Sequence, residues 1–365
     1  MTLPALAVVV FLASLVFSLA ATPLAAAAAR RLGALDRPGG RKAHGRETPL
    51  LGGAAVFTAL ALPVGGGLAL LAVFRDAPLP ASLSGLAGER AHALEEAPKA
   101  LAFLAGAAVM LATGLLDDFR KATFRPLSKL LGQTAAAIVL VAGGARTDVF
   151  GAPLSNAIAS VFWVVAVANA MNFLDHADGV AAGVALIATG IFTVVAIALE
   201  QYLIALALAA LGGALAGFLP YNFPPARIFL GDAGALFVGY ALAGLTLLES
   251  YVTRESPGLF PVLLPPIVLA LPLFDMAAVV LARALAGRPI YEGDRNHLHH
   301  RLSRLGMSPR QATLTVYVAT FALGAGAAAL PAASRGAAVA ILLQSLATMA
   351  LIAALMFFGE RKKKD

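Results

Sequence analysis

Five short clusters hold most of the chain's reactive side chains. The densest runs from Asn169 through Asn172, Asp175, His176 and Asp178 to Gly179. Residues three apart share one side of a helix, so Asn172 faces Asp175, and Asp175 faces Asp178. Amide and carboxylate oxygens suit a hard divalent cation; the competing reading is a polar helix end that merely meets water. Asp117-Asp118-Phe-Arg-Lys121, followed by Lys129, sets two adjacent acids beside cations that can offset their repulsion. Gly231-Asp232-Ala-Gly234, with Asn222 upstream, flanks an acid with glycines, which lets backbone and carboxylate approach a bulky anion or its metal. Asp294-Arg295-Asn-His297-Leu-His299-His300-Arg301 is an anion-seeking segment, because guanidinium forks match phosphate oxygens and imidazoles donate near neutral pH. Zinc is the alternative there, but the spacing does not follow the familiar histidine–metal patterns, and the chain has no cysteine. The fifth cluster, Arg41-Lys42-Ala-His44 through Gly52-Gly53, is basic and stiffened by Pro38 and Pro49.

The elements that must position these clusters lie in lipid. Of 365 residues, 60% are apolar and 13% charged, and the mean hydropathy is +0.84. A soluble domain carries about a quarter charged residues. Apolar runs near residues 3–29, 50–74, 98–116, 127–143, 156–171, 180–198, 202–219, 234–250, 259–285, 312–330 and 336–358 predict an all-α polytopic membrane protein with 10–11 transmembrane helices. The first run has no basic leader and ends at Arg30-Arg31, so it reads as a retained helix rather than a signal peptide. The whole chain, 1–365, reads as one unit with inner loops at 30–49, 117–128, 172–179, 220–233 and 286–311 and a basic tail at 359–365.

With the N-terminus outside and the C-terminus in the cytoplasm, 21 of the 27 Lys and Arg fall inside, and only Arg75, Arg90, Lys99, Arg146, Arg254 and Arg335 fall outside. That is the asymmetry the positive-inside rule demands, and it puts all five clusters on the cytoplasmic face. It also accounts for the net charge of +7 through membrane lipids and topology, with no nucleic acid required. Pro265, Pro266 and Pro272 predict a kink in the ninth span, a feature that often accompanies a groove. Asp275, inside that span, is an intramembrane carboxylate: either a functional group or one half of a pair.

Oxygen ligands for a hard cation and basic groups for phosphates on one membrane face point to phosphoryl transfer. Two anionic reactants, a metal-bound diphosphate and a lipid-borne phosphate, would need both sets. A secondary transporter is the rival from another class, motivated by Asp275 and the broken span, and it predicts paired interrupted helices in two similar halves. A non-catalytic scaffold would tolerate loss of the acids.

Taken in order, the five clusters resemble the motifs of the polyprenyl-phosphate N-acetylhexosamine-1-phosphate transferases (glycosyltransferase family 4 type) over about residues 30–305. The resemblance implies a bacterial cytoplasmic-membrane enzyme that moves a sugar 1-phosphate from a UDP-N-acetylhexosamine to polyprenyl phosphate and releases UMP. It would use magnesium, or manganese in its place, and a homodimer is among the assemblies it allows. By this analogy Asn172 and Asp232 hold the metal, and Asp117 and Asp118 form the acid pair at the lipid phosphate. His297 joins the catalytic set, while Lys121, Lys129, Asn169, Asp175, Asp178, Asn222, Arg295, His299, His300, Arg301, Lys42 and His44 bind substrates. The inner histidine segment is similar to the N-acetylglucosamine branch rather than the phospho-N-acetylmuramoyl-pentapeptide branch, which stays the alternative. Where the family usually has Ser after Gly-Asp-Xaa-Gly, this chain has Ala235, so a hydroxyl contact to phosphate is expected to be missing.

Overall fold

The computed structural model describes residues 2–36, 47–77, 89–120, 123–252, 256, 258–289 and 297–358. Helices follow the apolar runs closely, because in hydrocarbon every backbone polar group must be satisfied within its own segment. In chain order they are α1 (Leu3–Leu32), α2 (Gly52–Val73), α3 (Arg90–Glu95), α4 (Ala97–Arg120), α5 (Pro126–Ala142), α6 (Pro153–Leu174), α7 (Val180–Ala198) and α8 (Tyr202–Asn222). After these come α9 (Gly231–Leu248), α10 (Leu264–Val268), α11 (Ala270–Leu285), α12 (Leu298–Arg304), α13 (Pro309–Ala327) and α14 (Arg335–Phe358). Between α1 and α2, β1 (Leu35–Asp36) pairs antiparallel with β2 (Thr48–Pro49).

Among the described residues, nine helical segments are long and apolar enough to span, and α10 with α11 forms a tenth bent by 65°. The bend falls among Pro265, Pro266 and Pro272, where the missing N–H donors weaken the helix. With the 17-residue α5, all eleven predicted runs are helical. Starts follow local chemistry: α5, α6 and α13 each open on proline. At α13, Ser308 and Gln311 close a capping box, the Ser308 hydroxyl accepting from the Gln311 N–H and the Gln311 side chain from the Ser308 N–H.

The helix α9 is the axis of the bundle. In its most apolar stretch 83% of residues are buried, against 17% for α2 and α14 at the periphery. It packs on α4 and α6. Close approach of α9 to its neighbours relies on small residues, as membrane helix packing commonly does. A methyl group on Gly53 of α2 would collide with the backbone of Gly234, and one on Gly114 of α4 with the backbone of Ala233.

Several element ends differ from the sequence reading. The first turn of α9 contains Gly231-Asp232-Ala233, which the hydropathy pattern leaves in a loop. Likewise α4 carries Asp117 and Asp118 in its last turns, α6 runs on through Asn172, and α12 forms within the long inner segment. Each extension carries polar residues, unfavoured by an apolar count, among them Asp117, Asp118, Asn172 and Asp232, whose side chains find partners on neighbouring elements.

Candidate active site

Four helix ends converge on Lys129 at the start of α5. Its ammonium lies 2.7 Å from Asp117 Oδ2 of α4, 3.1 Å from Asn172 Oδ1 of α6 and 3.3 Å from Asp232 Oδ1 of α9. Asn172 in turn donates its amide to Asp232 Oδ1 at 2.5 Å. Residues far apart in sequence thus form one network of oxygens around one cation, with Asp232, at 34% side-chain exposure, more open than Asp117 or Lys129.

Asp118 has a different environment from its neighbour. Its Oδ1 accepts from the Asp232 N–H at 3.1 Å and its Oδ2 from the Ala233 N–H at 3.0 Å. These are two of the N–H groups that the first turn of a helix leaves without intrahelical partners, and the carboxylate also meets the positive end of the helix dipole. The same turn begins at Gly231, whose φ of +74° and close approach to Leu50 O and Asp118 Oδ2 leave no space for a side chain. On the other side, the Gly52 and Gly53 N–H groups donate to Phe229 O and Leu230 O at 3.1 and 2.9 Å. Asp118 and the Gly52-Gly53 pair therefore act on Asp232 by fixing the backbone that carries it.

The remaining predicted residues divide into those that face the network and those that brace it. Asp175, the residue that ends α6, is pushed well above the usual carboxylate range by burial and then by the carboxylates of Asp232, Asp118 and Asp178. Asn222 is a brace: only 2% exposed, it accepts from the Gly179 N–H at 3.1 Å and donates to Ile228 O at 2.9 Å. The Asp178 carboxylate accepts from the Ala226 N–H at 2.8 Å, tying the same two segments together. Asn169 is paired with Gln133, amide to amide, at 2.7 and 3.2 Å. In Asn222 and Asn169 both polar ends of each amide have partners inside the protein, so each side chain also holds neighbouring elements together. Ala235 is fully buried in α9, so its missing hydroxyl is lost from the core and not from the open side of the site.

Four imidazoles form a second group. The His176 ring stacks on His297 with centroids 4.1 Å apart and lies 4.8 Å from His300, while His299 and His300 are 5.9 Å apart. Burial, and then the neighbouring His297, holds His176 well below the usual imidazole range; burial lowers His299 as well. Asp275 has its partner here: Oδ2 lies 2.7 Å from His297 Nδ1, and Oδ1 accepts from the Leu298 N–H at 2.8 Å. Arg301 stands on α12 beside this group. Lys42, His44, Lys121 and Arg295 lie outside the described residues.

Two participants escape the motif reading. Gln133 holds Asn169, and Arg283 places its guanidinium 5.3 Å from the centroid of the Phe173 ring. Helical spacing could have found both, since Gln133 is i+4 from Lys129 and Arg283 is i+8 from Asp275 within otherwise apolar segments.

The acid and amide oxygens around Lys129, with the mutually repelling carboxylates near Asp175, are the donor set a hard divalent cation takes; Asp232 and Asn172 are the residues able to hold it. The basic and imidazole groups beside them suit phosphate oxygens.

Comparisons with known proteins give the same direction. Residues 100–250 match the family model described as glycosyl transferase family 4. A probable undecaprenyl-phosphate N-acetylglucosaminyl 1-phosphate transferase of Bacillus subtilis is 33% identical over 337 residues, 90% of this chain and 86% of the relative. A decaprenyl-phosphate N-acetylglucosaminephosphotransferase of Mycobacterium tuberculosis is 33% identical over 327 residues, 82% of this chain and 76% of its own length. A phospho-N-acetylmuramoyl-pentapeptide-transferase of Desulforudis audaxviator is 30% identical over 230 residues, which are 56% of this chain and 66% of that protein.

Proposed function

The chain belongs to glycosyl transferase family 4, and on that premise we propose that it transfers N-acetylglucosamine 1-phosphate from UDP-N-acetylglucosamine to polyprenyl phosphate, releasing UMP. It is a multi-pass membrane protein, and the relatives that match most of its length are named for this chemistry. The muramoyl-pentapeptide transferases match little more than half of the chain, which favours the N-acetylglucosamine reading over theirs. The charge asymmetry supports an outside N-terminus and a cytoplasmic site, where the polyprenyl phosphate arrives from the bilayer and the nucleotide sugar from water.

The observation that carries the proposal is the convergence of Asp117, Asn172 and Asp232 on Lys129. An acceptor phosphate oxygen forms a bond to the sugar-bearing phosphorus of the donor while the bond from that phosphorus to the bridging oxygen breaks. The electron pair leaves on UMP. Because a phosphate monoester has a second pKa of about 6, the acceptor is already largely a dianion at pH 7. Asp117 therefore serves to hold Lys129 and orient the acceptor, and no base is required of it. Lys129 offsets the negative charge that two phosphate groups bring together. Magnesium held by Asp232 and Asn172 would supply charge neutralisation and alignment of the diphosphate.

The test uses full-length purified protein in detergent with undecaprenyl phosphate, magnesium and a panel of UDP-sugars, following UMP. Release is expected with UDP-N-acetylglucosamine, and chelation by EDTA should stop it until magnesium is restored. Folded protein that yields no UMP from any donor would refute the enzyme reading, and activity indifferent to EDTA would remove the metal from it.

A further inference from the structure

The buried pair Asp275–His297 is not used by the transfer step as derived above. An acid at mid-helix in a membrane span is costly unless it has a partner and a reason to be there. Asp275 is 1% exposed and His297 4%. One carboxylate oxygen takes the imidazole at Nδ1, 2.7 Å away, and the other takes the backbone N–H of Leu298 at 2.8 Å. The acid thus grips both the ring and the main chain next to it, so the ring can neither rotate nor translate without breaking a bond.

This grip selects a tautomer. A carboxylate only accepts, so Nδ1 must carry the proton, and Nε2 is left as the ring's other nitrogen. The ring is also clamped from the side. His176 stacks on it with planes 19° apart and is itself held by a 2.9 Å bond between its Nδ1 and Phe173 O. Stacked rings hold their lone pairs in two nearly parallel planes, an arrangement ill suited to aiming both at one ion, although Asp275, His176 and His297 have ligand atoms within 4.8 Å of one another. The clamp also ties His297 to the transfer site: Phe173 and His176 belong to the same helix end as Asn172, which bonds Asp232.

We propose that Asp275 is a positioning residue of the transfer reaction, fixing His297 as the Nδ1–H tautomer so that Nε2 meets the sugar 1-phosphate of the donor. Nε2 then accepts a hydrogen bond from a hydroxyl or amide N–H of the sugar that carries this phosphate. The inference rests on the transferase reading, which supplies the donor that His297 meets.

Asp275→Asn separates position from shape. The Asn carbonyl can still accept from Leu298, but its NH2 now faces Nδ1, which must become an acceptor and drive the proton to Nε2. Turnover should fall by roughly 10²–10⁴-fold, the range expected when a buried acid loses control of an imidazole tautomer, with KM changing far less. In full-length protein labelled with ¹⁵N-histidine, which has six histidines, the signal that His297→Gln removes should show Nδ1–H in the wild type and Nε2–H in Asp275→Asn. The double variant should turn over no more slowly than His297→Gln alone, since both changes remove one function. Wild-type His297 found as the Nε2–H tautomer would overturn the proposal, whether or not Asp275→Asn folds. So would near-normal turnover of Asp275→Asn while His297→Gln is inactive, a result that leaves the transferase reading intact. Normal turnover by His297→Gln would remove His297 from the donor site and the proposal with it, and absence of UMP release by the wild type would instead strike the transferase reading.

Discussion

Asp117→Asn and Asp118→Asn should fail in different ways, although the residues are adjacent. Asp118 is 6% exposed and receives two backbone N–H groups from the first turn of α9. Asparagine offers one acceptor oxygen; its NH2 would point at a second N–H, and that bond becomes a repulsion. Losing one charge-assisted bond is worth about 1.5–3 kcal/mol, and an orphaned buried N–H costs about 1–3 kcal/mol more. The lost interaction between the carboxylate and the helix dipole adds about 0.3–1 kcal/mol. Asp118→Asn should therefore lower the unfolding temperature in detergent by several degrees, and turnover with it, as Asp232 shifts with its backbone. At Asp117 the expectation reverses. Its partner Lys129 keeps Asp232 at 3.3 Å and Asn172 at 3.1 Å, and asparagine keeps an acceptor oxygen toward the ammonium, so Asp117→Asn should cost less stability than Asp118→Asn while turnover falls at least about 10²-fold. Scanning calorimetry or intrinsic fluorescence, paired with UMP release, measures both. An unfolding temperature unchanged in Asp118→Asn, or lowered equally in the two variants, would refute the division of labour.

Three further outcomes follow from the geometry. Lys129→Met leaves Asp117 and Asp232 to repel across the vacated position, so UMP release should drop by at least about 10²-fold; activity within a few-fold of wild type would exclude Lys129 from the phosphate site. Gly53→Ala drives a methyl group into the Gly234 backbone, which cannot rotate aside, and should cost about 1–3 kcal/mol of stability. Gly66→Ala, with nothing within 4 Å, is the control expected to be neutral or stabilising. Glu249, 5% exposed at the far end of α9, is raised by burial to about 8. The folded state thus holds a proton that the unfolded chain has lost, so this group's contribution falls as pH rises from about 4.5 to about 8, by at most about 1.4 kcal/mol per unit. Glu249→Gln should be more stable than wild type at pH 9, with the gap closing toward pH 5, when unfolding temperatures are compared across that range.

Lipid as solvent made the helices easy to read: an apolar run must become a helix whatever its neighbours are, so even the proline break in the ninth span was evident before any contact was known. Function depends on the opposite kind of residue, the polar helix end, and there a single sequence carries less. Adjacent positions on a helix diverge by about 100°, so Asp117 turns to the Lys129 ammonium while Asp118 turns to the backbone N–H groups that open α9; the motif grouped what the geometry separates. The types of Asn169 and Asn222 suit a substrate, and a side-chain amide is equally well satisfied by Gln133 or by Gly179 and Ile228. Nothing local tells these uses apart. The pairing of Asp275 with His297 spans 22 residues and joins a membrane helix to a surface segment. Composition could say only that such an acid needs a partner. Packing α11 against α6 is what sets Asp275 at His297 and thereby beside the helix end that holds Asn172, so that an acid buried in the bilayer governs a ring at its surface.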